Sequence, residues 1–189
     1  MEITNNTTFG IYTNEYKSKN VTKQEFYEDT VKSKASKTEG KTLGMGFTHD
    51  KNSTVSYGMV AKYAENSTED NPIIKVSVRS EEYYININEV NPKNASEIEM
   101  FALCCYADDK GIGTGGTFGS WQTLNYYKDN AAHNGYFELS DTMEQFKSLR
   151  KDWGAMVNAM ISDYMNGGLY KQAMDGKMLL GMFQHFMQD

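Results

Sequence analysis

From Ile98 to Ala107 the chain carries a single charge, Glu99, and its apolar residues fall at 98, 101, 102 and 105 as well as at 100, 103, 104 and 107. At helical spacing these two sets cover more than one face, and a helix that is apolar most of the way round belongs in an interior. The rest of the chain must therefore supply layers on more than one side of it. Asn94 stands three residues before Glu97, a spacing that suits a cap and its reciprocal glutamate, and Pro92 lies upstream, where it interrupts nothing. Asp108, Asp109 and Lys110 return the chain to water, and Gly111 suits a left-handed stop. A buried helix is expected over about 95–110.

A loop containing Gly111, Gly113, Gly115, Gly116 and Gly119 follows, and Ser120 and Trp121 open a second helix expected over about 120–132. Gly111, Gly113 and Gly116 spell GxGxxG, but a dinucleotide fingerprint follows a strand, and here a helix precedes it. No lysine follows the glycines as a phosphate loop requires, and the companion motifs of a kinase glycine loop are absent from the sequence. Asp108 and Asp109 are followed by Lys110 and Gly111 rather than by the alternating oxygen ligands of a calcium loop. One reading makes the glycines a tight change of direction between packed helices. The other makes Asp108, Asp109, Gly113, Gly115, Gly116, Ser120 and Trp121 a contact site, where helix-start amides meet an anion or a partner backbone.

Upstream, periodicity changes from helical spacing to alternation, the mark of half-buried strands. Leu43, Met45 and Phe47 alternate with Gly44 and Gly46; after the turn HDKNS, Val55, Tyr57, Met59, Ala61 and Tyr63 follow at two-residue spacing. Ile74, Val76 and Val78 alternate with Lys75, Ser77 and Arg79, and a short turn leads to Tyr83, Ile85 and Ile87. This is an α+β fold: a four-stranded antiparallel meander over about 43–88, packed on the buried central helix and followed by a C-terminal helical region. The exposed sheet face would carry Lys75, Ser77, Arg79, Tyr84, Asn86 and Asn88. Residues 1–20 read as a flexible or docked arm. Residues 21–189 read as one domain, whose first helix, about 22–34, starts at a Thr22/Glu25 capping box stapled by Val21 and Phe26.

Beyond the core, Ser140 or Asp141 is expected to cap a long helix over 141–165, with Met143, Phe146, Trp153, Val157, Met160 and Tyr164 at seam spacing, interrupted by Arg150. Asn166-Gly167-Gly168 stops it, and a last helix spans 169–187, with Asp175-Gly176 as its candidate break. Eight of the twelve methionines lie in this region. Methionine fills irregular cores and also builds adaptable contact surfaces. The last helix has more apolar positions than one face requires, so a partner or a second copy would cover the excess.

The run NEVNPKNASEIEMFALCCYADDKGIGTGGTFGSWQTL resembles the central segment of a bacterial protein family that carries no agreed activity. The resemblance implies relatives that include mobile-element proteins that inhibit RNA-guided DNA nucleases, the anti-CRISPR proteins. The likeness covers the centre of the chain well and the C-terminal helices loosely. Such inhibitors share no common catalytic or binding motif, so the resemblance implies a partner, an RNA-guided nuclease, without assigning residues.

Composition narrows the function classes. Net charge of −6 weighs against non-specific nucleic-acid binding and favours a basic partner. No apolar run approaches the roughly 18 residues of a membrane helix, and the polar N-terminus has no signal-peptide pattern; a cytoplasmic location is expected. Cys104 and Cys105 are neighbours on the buried helix, as reduced core residues would be. His49, His133 and His185 show no metal-ligand spacing, and no nucleophile motif is present. No metal and no cofactor are expected. The function expected is that of a non-enzymatic interaction protein. The alternative is a small hydrolase or ligand-binding enzyme with its pocket near the glycine-rich loop.

Overall fold

The computed structural model describes residues 40–49, 56–115 and 119–187. The expected N-terminal arm, the helix over 22–34, the turn after His49 and Gly116 lie outside the described residues. The described residues fall within one compact unit, Thr38–Asp189.

Four strands, β1 (Thr42–His49), β2 (Ser56–Tyr63), β3 (Ile73–Val78) and β4 (Glu81–Asn86), form an antiparallel sheet in the order β1-β2-β3-β4. A 3₁₀ turn at Ile87–Glu89 leads to five helices: α1 (Glu97–Asp109), α2 (Gly119–His133), α3 (Met143–Ser148), α4 (Trp153–Asn166) and α5 (Tyr170–His185). The α+β meander expected from the alternation is the fold observed. Met59, Ala61, Tyr63, Ile74, Val76 and Val78 point inward, while Lys75, Ser77 and Tyr84 lie on the other face. The sheet covers one side of α1, and α2 and α3 pack on its remaining sides. Every residue from Met100 to Cys104 is 0% exposed, as an all-round apolar helix demands.

The inner face of β1 is its glycine face. A Cβ at Gly46 would fall 2.9 Å from Trp121 Nε1 and 3.1 Å from Phe101 Cε2, and one at Gly44 would fall 2.5 Å from Cys105 Sγ. Only glycine lets the strand approach α1 and α2 this closely, so the larger alternating residues face outward. Met45 and Phe47 are 76% and 73% exposed. Trp121 fills the space beside Gly46 and meets Phe101 edge to face, ring centroids 5.3 Å apart.

Three helix boundaries depart from expectation, each for a local reason. The cap of α1 is Ser96, not Asn94: Ser96 Oγ accepts from Glu99 N, and Glu99 Oε2 accepts from Ser96 N at 2.7 Å. Ala95 is held extended by a two-way backbone bridge to Lys151, which delays the helix start. That bridge also breaks the helix expected over 141–165. Residues 149–152 run between α3, capped by Thr142, and α4, capped by Asp152. Arg150, the polar interruption in the seam, marks the break by donating to Asn94 O and Glu99 Oε1, both at 2.7 Å. Conversely, α5 runs unbroken through Asp175-Gly176. A Cβ at Gly176 would meet Ile161 Cγ1 at 2.6 Å and Tyr127 Cε1 at 2.9 Å, so this glycine is a contact between helices rather than a break.

Candidate functional site

The glycine loop closes around a carboxylate of its own chain. Asp108, in the last turn of α1, accepts from Ser120 N at 2.8 Å through Oδ2 and from Ser120 Oγ at 2.6 Å through Oδ1. Ser120 Oγ in turn accepts from Thr114 N at 2.8 Å. The amide at the start of α2 is the place where an anion gains most from the orphan donors and the helix dipole. Here Asp108 supplies that anion. A Cβ on Gly113 would lie 1.9 Å from Asp108 Oδ1, and one on Gly119, at φ +77°, would lie 2.8 Å from Oδ2. Both glycines therefore make room for the carboxylate, and Gly119 also takes a left-handed backbone.

Asp109, its neighbour, faces the sheet. Its carboxylate accepts from the Tyr63 hydroxyl at 2.8 Å and pairs with Lys41. Burial works against the charge on Asp109, but the Lys41 and Tyr63 bonds and the nearby ammonium groups outweigh it and hold the carboxyl below its ordinary range. Burial, followed by the bond to Asp109, raises the Tyr63 phenol above its own.

Of the residues marked in the sequence, the structure joins Asp108, Gly113 and Ser120 in one internal network and turns Asp109 away to the sheet. Gly115 is exposed at φ +67°. Trp121 is buried against Gly46, and its indole nitrogen has no hydrogen-bond partner among the described residues. Gly116 lies outside the described residues.

A second polar cluster carries no motif. Glu97, the first residue of α1, is buried at 3% exposure and accepts from Lys128 Nζ at 3.0 Å, Lys151 Nζ at 3.2 Å and Ser140 N at 3.3 Å. Burial pushes its carboxyl up, yet the Lys128 charge, the Ser140 amide and the Lys151 charge together bring it below the ordinary glutamate value. Beside it opens a cleft of about 390 Å³, lined by Phe47, Thr48, Asn125, Tyr126, Lys128 and Ser140 among others. Asn125, one of its lining residues, has a buried Oδ1 with no hydrogen-bond partner among the described residues. The sequence did contain a signal: Glu97 abuts an apolar run, and a helix buried on all sides must pair any carboxylate at its start.

Chemically, these groups are more committed than reactive. The Glu97 carboxylate is engaged by two cations and an amide, and Asp108 by Ser120. The thiols of Cys104 and Cys105 are both buried and unpaired with each other. Burial, with Asp108 nearby, pushes the Cys105 thiol up to about 12, and burial likewise raises the Cys104 thiol well above its usual range. Neither is a thiolate nucleophile near neutral pH. Among the described residues no His, Cys, Asp and Glu grouping could hold a metal ion, and no helix is long and apolar enough to cross a membrane.

Besides the separate Tyr84, Tyr126 and Tyr136, the large exposed hydrophobics among the described residues fall into two groups. One is Met45 and Phe47 on β1. The other lies where α4 ends and α5 begins: Met165, Leu169, Tyr170, Met174 and Met178 are each more than two-fifths exposed. Comparison with protein-family models, with curated proteins and with solved structures returns no match.

Proposed function

We propose that this chain is a non-enzymatic cytoplasmic protein that acts by binding a protein partner through the apolar face at the start of α5. The observation that carries this reading is the double-sided character of that helix. Ala173, Gly176, Leu179, Met182 and Phe183 form its buried seam, while Tyr170, Met174 and Met178 make a second stripe, one turn apart, toward solvent. A face of flexible, polarizable side chains that the fold does not use suits an adaptable contact. The net charge of −6 favours a basic partner.

The partner class follows from the resemblance of the central segment to a bacterial family whose relatives include anti-CRISPR proteins: an RNA-guided DNA nuclease, inhibited on binding. The test is capture of a guide-loaded nuclease by the purified full chain, paired with a cleavage assay, using wild type and Met174→Glu/Met178→Glu. Capture and inhibition by wild type, both lost in the variant, support the reading. A panel of such nucleases that is neither bound nor slowed at micromolar protein overturns it.

A second reading, a ligand-binding enzyme, is favoured by the cleft of about 390 Å³ beside Glu97 and Lys128, whose lining includes Asn125. No described residue of the glycine loop lines this cleft. A thermal-shift screen of small polar molecules, repeated with Asn125→Leu, tests it: a hit whose shift vanishes in the variant supports a ligand site.

A further inference from the structure

The rim of the exposed α5 face has a sign of its own. The helix, YKQAMDGKMLLGMFQH, carries two lysines and one carboxylate, although the whole chain is acidic at −6. That carboxylate, Asp175, is half-buried and is held by Lys171 at 3.0 Å, one turn away. Lys171 and Lys177 are both exposed. A residue seven positions away on a helix lies almost directly along the axis, two turns on. Lys177 is therefore nearly in line with Tyr170, and Lys171 nearly in line with Met178, while Met174 lies between these two lines. The lysines thus border the apolar stripe on both sides. Gly181, seven residues after Met174, continues the middle line, and among the described residues nothing lies within 4 Å of the Cβ it lacks.

We infer that the part of the partner that docks on this face is an acidic amphipathic helix. Its apolar side chains, at three- and four-residue spacing, would meet Tyr170, Met174 and Met178, and carboxylates along its edges would meet Lys171 and Lys177. This rests on the reading of the face as a partner surface and gives that partner its chemistry. Three exposed side chains at four-residue spacing form a straight ridge about two turns long, and a second helix laid along such a ridge matches it residue for residue. Methionine lets the ridge adapt to whichever apolar side chains arrive. The lysines stand at the border of the contact, where water remains, so they decide which helix is accepted more than how tightly it is held. A helix edged with lysines would set like charges against Lys171 and Lys177. The net charge of −6 acts on the partner as a whole, but inside a screening length of about 10 Å a docking helix meets the two lysines first.

The test uses the purified full chain and two synthetic peptides of about 18 residues, long enough to be partly helical when free. Both carry the same leucine stripe; one has glutamate along its edges and the other lysine. Titration followed by fluorescence anisotropy should show the glutamate-edged peptide binding about tenfold tighter at low salt, with a preference that shrinks as salt is added. The bound peptide should gain helical circular dichroism. Lys171→Gln/Lys177→Gln should remove the preference, and Met174→Glu/Met178→Glu should end binding of the glutamate-edged peptide. Equal affinity for the two peptides, a preference for lysine edges, or a preference that survives Lys171→Gln/Lys177→Gln overturns the inference. So does binding without a gain of helix, or no binding of either peptide. The partner face is judged separately, by capture of the guide-loaded nuclease. Capture that Met174→Glu/Met178→Glu abolishes, with no preference between the peptides, leaves the face standing and removes the acidic helix from it.

Discussion

A carboxylate buried between two ammonium groups contributes to stability only while it stays charged, and Glu97 is in that position, with Lys128 and Lys151 on either side. Breaking such a cluster by removing one partner costs about 3 kcal/mol or more, because the remaining charges stay in low dielectric without compensation. Glu97→Gln is therefore expected to lower stability by about 3 kcal/mol at neutral pH, read from urea denaturation. The pH dependence has a definite sign. The folded carboxyl titrates below its ordinary value of 4.5, so its contribution is fully present above that value and is lost as pH falls through the folded one. Wild-type stability should fall below about pH 4.5 more steeply than that of Glu97→Gln, and the difference between the two isolates this group from Asp109 and Glu82, whose carboxyls are also lowered. Parallel curves would show that Glu97 is not held as a charge. At Asp108 the same scale gives a second outcome. Gly113→Ala places a methyl on the carboxylate, so it should destabilise the chain, whereas Gly115→Ala, with open space and φ +67°, should cost only the strain of a left-handed alanine, about 1 kcal/mol. The sequence marked Asp108, Gly113 and Ser120 only among seven residues of one candidate contact site, and did not single out these three or what they do. Their bonds join residues twelve apart across a loop, and no local spacing reports that a helix start already has its anion.

Element by element, the strands and the buried helix were legible because alternation and all-round apolarity are properties of the segment itself. The helix ends were not, because a pairing distant in sequence decides them. Ala95 and Lys151 exchange backbone hydrogen bonds, and that one bridge moves the start of α1 to Ser96 and separates α3 from α4. Glycine is similarly ambiguous in a sequence. On α5, Gly176 and Gly181 look alike, yet the first touches Ile161 and Tyr127 while the second has nothing within 4 Å of its missing Cβ. Opposite effects follow from the same substitution. Gly181→Ala should stabilise the chain by about 1 kcal/mol, since alanine is the better helix former and meets no neighbour. Gly176→Ala should destabilise it by about 1–3 kcal/mol through overpacking against Tyr127 and Ile161. Thermal denaturation of the two variants checks both signs, and a stabilising Gly176→Ala would mean that α5 does not approach α2 and α4 as closely as described.

At the scale of the whole molecule, the described core is organised around α1, and most of the exposed large hydrophobics stand on β1 and around the start of α5, with Tyr84, Tyr126 and Tyr136 apart from them. Hydrophobic counting in the sequence detected the excess on the last helix but missed β1, because the alternation of Leu43, Met45 and Phe47 with Gly44 and Gly46 does not say that the glycines are the buried half. Close packing decides it: Trp121 and Phe101 occupy the space that side chains on the inner face of β1 would fill. Residues outside the core should be separable from folding, and this gives the proposed partner face a thermodynamic signature of its own. Met174 and Met178 are 54% and 44% exposed. Each already has much of its side chain in water, so Met174→Glu/Met178→Glu should change unfolding free energy by about 0.5 kcal/mol or less per site. Leu179→Ala, in the buried seam of the same helix, should cost about 2–5 kcal/mol. The two sites should likewise contribute oppositely to partner capture. The methionine substitutions would end capture in a chain of near-native stability, while Leu179→Ala would retain capture at temperatures where it remains folded. A large stability loss from the methionine pair would instead place those side chains in the fold's own packing, and the face would then have no surface left over for a partner.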